Sequence, residues 1–402
     1  MPTYRGFGPR KGRLPLVKGA VDFNDAEGLA VNLALIGDAE LPPVEACAAQ
    51  PFVGVTTTGE PEPGLYRLVD EGFDPAGAAL AAESYLALLP GPRREKAVSP
   101  VESPDWQMWT NAFLTFPEHG LLMEDMSERE RLAALDVIRA TLSPEGFTQI
   151  REAMRLNGEL GHFVDMYLDT LTEWCYWFTV FGTPGEREPW GWQIQGHHVD
   201  LNCLVLGRQV VLTPAFLGAE FHGERIFSSH RRSALTLLES LAPAQRERAV
   251  LYGSMSPDEL PHHLAGKVDG RHRAGAGRDN LVLPYEGISG ADLTQDQQHL
   301  MMDVLDNYLA PLPPGHAAAR RRQVEDHLQS SWFACIGTTD PEQPFYYRIH
   351  SPVILIEYDN HPGVFLDNDN PEPFHVHTIV RTPNGGDYGK SLLADHYARF
   401  HH

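Results

Sequence analysis

The sequence predicts an α+β fold in which a mainly antiparallel sheet carries a histidine-rich site and helices pack around it. Three observations carry that expectation. The hydrophobic period changes at Glu173, after which Trp174-Cys175-Tyr176-Trp177-Phe178-Thr179-Val180-Phe181 is aromatic and β-branched, as a buried strand requires. Gly207-Arg208 separates two apolar runs and reads as a hairpin turn. Towards the C-terminus, strand-like runs at 331–336, 345–350, 353–358 and 374–381 follow one another with no helical pattern between them.

Residues 1–70 mix short apolar runs with Pro and Gly, including Pro42-Pro43 and Pro61-Glu62-Pro63-Gly64, and favour strands and turns. Helical spacing begins after Asp74-Pro75, over 78–88, and recurs over 127–142, where Leu132, Leu135, Ile138 and Leu142 step by three and four. Ser143-Pro144 is an N-cap followed by proline at the first helical position, starting a helix to about residue 160. Gly182-Thr183-Pro184-Gly185 closes the aromatic strand, Trp190-Gly191-Trp192-Gln193 opens the next, and the hairpin pairs 201–206 with 209–213. Helices are expected over 234–241, 244–252, 294–308 (capped by Ser289 or Thr294) and 317–330. Between them, the Gly-, His- and Arg-rich residues 254–287 exceed an ordinary connector and form a candidate lid. Residues 359–373, rich in acids and Asn, read as a solvated connector, and a helix over 388–399 closes the chain. Three segments, 1–70, 71–172 and 173–402, are expected to fold as one integrated domain.

With 32 Lys+Arg against 54 Asp+Glu the chain carries a formal charge of −22, which repels nucleic-acid phosphates and anionic membrane surfaces. Neither partner is expected. Cys47, Cys175, Cys203 and Cys335 are widely spaced and form no C-x-x-C pair, so neither a thiolate zinc site nor a disulfide framework is written. No leader-like apolar segment follows Met1, and the expected location is the cytoplasm, as a soluble protein. Nothing in the sequence indicates oligomeric state. No G-x-G-x-x-G after a strand, Walker loop or G-x-S-x-G occurs, so no nucleotide cofactor or α/β-hydrolase chemistry is expected.

The chemistry concentrates near the C-terminus. In Phe374-His375-Val376-His377-Thr378-Ile379-Val380-Arg381, strand alternation puts His375, His377 and Arg381 on one face, with alternate residues roughly 7 Å apart. Imidazoles leaning in from that spacing can share a metal. Val353-Ile354-Leu355-Ile356-Glu357 sets a carboxylate in an aliphatic strand, where it needs a metal, a proton or a partner such as Arg348 or Arg381. Tyr346, Arg348 and His350 share a face by the same rule. In Gly196-His197-His198-Val199-Asp200-Leu201-Asn202 a strand would send the two histidines to opposite sides, His198 with the polar Asp200 and Asn202. Gly196 leaves a bulge open that would turn His197 inward instead. Asp387 is either an N-cap or a catalytic carboxylate, and Arg381 either clamps a substrate carboxylate or neutralises Glu357. His162, Asp165 and Asp169 follow a helical step and read as a solvated face.

Tyr176-Trp177-Phe178, Phe181-Gly182-Thr183-Pro184, Trp190-Gly191-Trp192, Gly196-His197-His198 and Thr213-Pro214-Ala215-Phe216-Leu217-Gly218-Ala219, then Tyr347-Arg348-Ile349, Glu357, His375-Val376-His377, Arg381 and Asp387-Tyr388-Gly389, resemble in order and spacing the bacterial and fungal family known as domain of unknown function 3500. The resemblance runs from about Trp106 onward and departs at Glu220-Phe221-His222-Gly223, where the family has a proline-containing continuation. It implies clustering of these motifs and supplies no reaction. From the residues, the expected ligands are His375, His377, His198, His197 and Glu357. Glu357, Arg348, Arg381 and Asp387 are the expected catalytic groups. The expected cofactor is a divalent metal, iron or copper before zinc or manganese. The expected activity is metal-dependent oxidation or oxygenation of a small, anionic organic molecule. The alternatives are a zinc- or manganese-dependent hydrolase and a metal-free small-molecule binder.

Overall fold

A computed structural model describes residues 3–9, 43–111, 119–165, 171–266 and 269–401. The strands and turns expected over residues 10–42, and Asp169, lie outside the described residues. Thirteen strands among the described residues form one sheet. In chain order they are β1 (Val98–Ser99), β2 (Leu121–Leu122), β3 (Tyr176–Gly182), β4 (Trp190–Gly196), β5 (Val199–Leu206), β6 (Gln209–Val211) and β7 (Ala215–Ala219). They continue as β8 (Val250–Tyr252), β9 (Ile288–Ser289), β10 (Trp332–Ile336), β11 (Tyr346–His350), β12 (Leu355–Pro362) and β13 (Pro371–Arg381). The order across the sheet is β1-β3-β4-β5-β7-β13-β12-β11-β10-β8.

The α+β class holds, but the sheet is mixed rather than mainly antiparallel: β1 pairs parallel with β3, and β8 with β10. These strands arrive directly from the helices Gly91–Lys96 and Pro243–Ala249 and are two and three residues long, too short for a period to betray them. The predicted helix over 244–252 therefore ends at Ala249, and its last residues join the sheet.

Local chemistry explains where the helices begin. Ser127 accepts from Glu130 N while Glu130 reaches back to Ser127 N, and Ser143 accepts from Gly146 N at 3.0 Å. Of the two expected caps, Thr294 rather than Ser289 starts Gln295–Leu309, with Gln297 closing the box. The predicted helix over 234–241 starts earlier, in Glu224–Ser240. No helix among the described residues is long and apolar enough to cross a membrane.

Directly paired strand residues share a face. One registered row, Phe178-Ile194-Leu201-Ala215-Val380-Ile356-Ile349-Phe333, is apolar and packs against the helices Glu128–Ala140, Pro144–Val164, Glu224–Ser240 and Gln295–Leu309 in the main core. The opposite face carries the row Gly218-His377-Asp359-Tyr346 and, one step along, Phe216-Ile379-Glu357-Arg348. That face is also buried, under residues 254–266 and 269–287 and the aromatic cluster of Trp106, Trp109 and Tyr388. Polar side chains there cannot be hydrated and must satisfy one another.

On the helix side, His230 is buried against Tyr308 and Phe227, and burial pushes its pKa from 6.5 down to about 4. Its folded form is neutral, whereas the unfolded chain protonates near 6.5. The stability this provides is therefore complete above pH 6.5 and is lost as pH falls towards 4, by a few kcal/mol. Urea titrations across that window should show falling stability, with a shallower slope in His230→Gln.

Candidate metal centre

His375 and His377 leave β13 on the same face, as strand alternation requires, and both are buried. His198 reaches them differently from the strand reading. His197-His198 is the two-residue turn joining β4 to β5, and His198 holds φ 70°, the left-handed region that a non-glycine residue enters at a cost of about 1–2 kcal/mol. The strain is held by a hydrogen bond from Gly218 N to His198 O at 2.8 Å. Such an outlier points to a functional constraint. Gly218 is also where the rings need room. A Cβ there would lie 2.9 Å from His198 Cδ2 and 3.0 Å from His377 Cδ2, so any side chain would push the two imidazoles apart.

The three rings converge on their Nε2 atoms. His377 Nε2 lies 3.2 Å from that of His198 and 3.1 Å from that of His375, and the ligand atoms of all three fall within 4.8 Å of one another. A neutral imidazole nitrogen carries one proton or one lone pair, so His377 Nε2 cannot make two good hydrogen bonds at once. A single ion held between them would satisfy all three. Nitrogens at about 2.0–2.1 Å from one metal, at tetrahedral or octahedral angles, lie roughly 2.8–3.4 Å apart. Burial, then neighbouring imidazoles, holds all three pKa values well below 6.5, which keeps the donors neutral and free to bind a cation.

Next to these three histidines is a group the sequence reading missed. His361 stacks on His377 at 4.4 Å between ring centroids, and its Nδ1 faces Asp359 Oδ2 at 3.2 Å. Asp359 also pairs with Arg271 Nε at 2.9 Å, with both side chains buried. Burial would raise the Asp359 pKa, but Arg271 and His361 hold it below the usual range. The first residues of the predicted connector over 359–373 are instead the buried end of β12, where Asp359, Asn360 and His361 are almost fully enclosed. Period two extended past Glu357 would have placed Asp359 and His361 on its face. The acids and asparagines concealed that continuation. His272 comes from the covering loop, 6.1 Å from the His377 ring.

The remaining expected residues lie elsewhere. Glu357 does not join the histidines. Its carboxylate accepts from Tyr346 Oη at 2.6 Å, Arg273 N at 3.0 Å and Ala274 N at 2.9 Å, so its burial is compensated by a phenol and two backbone donors rather than by a metal. His197 turns away, with Nδ1 2.7 Å from Asn157 Oδ1, though its ring stacks on His198 at 3.7 Å. Arg381 does not neutralise Glu357. It is buried between Asp279, at 2.7 Å, and Asp387, at 3.2 Å. Asp387 is thus an ion-pair partner that also accepts from Thr382 N, rather than a helix cap. Burial raises its pKa to about 6, with Arg381 opposing. Arg348 donates to Tyr346 Oη and pairs with Glu286, which is half-exposed. His350 faces Tyr285 at 4.6 Å.

Over residues 271–279 the candidate lid is a cover fastened to the sheet face. Arg271 grips Asp359, the amides of Arg273 and Ala274 grip Glu357, and Asp279 binds Arg381 and Tyr388 Oη. Gly270, at φ 59°, lies so close to Asp359 Oδ2 and His361 Nδ1 that a Cβ would clash with both.

Comparison with curated proteins found no match, and comparison with solved structures found none either. A family model described as "Protein of unknown function (DUF3500)" matches residues 74–390, a span containing all three converging histidines, their Asp359–His361 neighbour and the covering loop, and the chain belongs to that family.

Proposed function

We propose that this protein is a metal-dependent enzyme whose mononuclear centre, on His198, His375 and His377, acts on a small organic molecule. The observation that carries this reading is the double approach of imidazole nitrogens to His377 Nε2, at 3.1 and 3.2 Å, in a buried site. Three neutral imidazoles suit iron, copper or zinc and leave positions open for substrate and water. When bound, such an ion supplies Lewis acidity or one-electron chemistry. Oxidation or oxygenation with iron or copper is the first reading, because Glu357, the base that a hydrolytic reading needs, is committed to holding the cover. A zinc- or manganese-dependent hydrolase is the second, and one observation favours it: Asp359 orients His361 beside His377, an arrangement able to take a proton from water. With Arg381 already paired twice, Arg348, whose acidic partner Glu286 is half-exposed, is the cation that could hold an anionic substrate.

Elemental analysis of untagged protein decides between these readings. Iron or copper near one per chain supports oxidation, and zinc or manganese supports hydrolysis. If expression in medium supplemented with each metal leaves the protein without stoichiometric metal, the enzyme reading fails and a metal-free binder takes its place.

A further inference from the structure

A cavity of about 530 Å³ lies on the helix side of the sheet, opposite the histidines. Along β13, Thr378 and Val380 line it while His377 and Ile379 face the other way, so one strand serves two separate sites. Its floor is the apolar face of the sheet, including Leu201, Ala215 and Leu217, and its walls come from the helices Pro144–Val164, Gln295–Leu309 and Pro314–Asp326. The volume falls within the range, about 300–1,000 Å³, of small-molecule sites.

One charged group in the lining stands out. Arg320 is 8% exposed, and its guanidinium donates to Val353 O at 2.9 Å, to Thr382 Oγ1 at 3.4 Å and to Gln323, but forms no ion pair among the described residues. A guanidinium has five N–H donors, so these three contacts leave capacity unused. Burial lowers the Arg320 pKa, the sign of a charge without full compensation. The acid Glu71, also in the lining, is taken up by His316 at 2.7 Å and Gln209 at 3.1 Å. Its charge would oppose a dianion, which leaves a singly charged head group as the complement to Arg320. A carboxylate matches the guanidinium fork, and the apolar floor matches a hydrocarbon.

We propose that this cavity binds a long-chain aliphatic carboxylate, with the chain along the sheet floor and the head group on Arg320. The proposal does not rest on the metal centre. Its test is calorimetric titration of the full chain, stripped of lipid on a hydrophobic resin, with dodecanoate and with dodecanol, both below micelle-forming concentrations. Dodecanoate should bind saturably at one per chain and at least tenfold more tightly than dodecanol. Arg320→Leu should remove that tenfold preference and leave dodecanol binding unchanged. Ala215→Phe, which places a ring in the cavity, should abolish binding of both without altering metal content. If Arg320→Leu does not fold, Ala215→Phe decides alone. Absence of saturable dodecanoate binding, equal affinity for acid and alcohol, or dodecanoate binding that survives Ala215→Phe would each overturn the proposal.

Discussion

Replacing His377 by Ala should remove bound metal, lowering affinity by at least about 100-fold, the upper range seen when merely supporting residues of metal sites are lost. His377 contributes the nitrogen that both other rings approach, so its loss leaves His198 and His375 without the donor that unites them. His198→Ala and His375→Ala should lose metal as well. Each removes one of three donors; His198 lies in the turn between β4 and β5, and β13 keeps its backbone pairing to β7 and β12 when His375 is replaced. The check pairs elemental analysis with far-ultraviolet circular dichroism and a thermal melt. If His377→Ala retains full occupancy in a folded protein, the three imidazoles are a packed cluster and not a ligand set.

Arg271→Ala should destabilise the fold by about 3–5 kcal/mol, the cost of leaving one member of a buried ion pair without its partner. Asp359 and Arg271 are 0% and 1% exposed at their side chains, so water cannot replace the lost contact. The same change removes one fastening of the covering loop, whose other attachments run through Glu357 and Arg381. The double variant Arg271→Met, Asp359→Leu should recover much of the loss, because replacing both charges by apolar groups removes the burial penalty along with the attraction. Denaturant unfolding of the two single variants and the double variant measures this coupling. Independent, additive losses would show that the pair contributes little beyond its packing.

Much of the site was legible because period two is a local rule. His375 and His377 share a face whatever surrounds them, and so do Glu357 and Asp359 once the strand is known to continue. What misled the reading was also local. Acids and asparagines after Tyr358 look solvated when judged by polarity, yet Asp359 is buried because Arg271, distant in sequence, meets it. His198 was assigned to the correct polar side for a different reason. A strand phase would have sent it there, but a turn with φ 70° does so in fact.

From the sequence alone come the α+β class, the helix starts set by Ser127, Ser143 and Thr294, the hairpin at Gly207-Arg208 and the facing of His375 with His377. Each follows from interactions within a few residues, where propensity, capping and alternation act. Only the tertiary structure decided that the sheet is mixed, that His198 completes the cluster, that Glu357 holds a loop, and that Arg381 is neutralised by Asp279 and Asp387. Those outcomes depend on which distant groups meet after burial has removed water as a partner. The cost of an unpaired buried charge or donor then selects the pairing, and no local pattern in the chain encodes that selection.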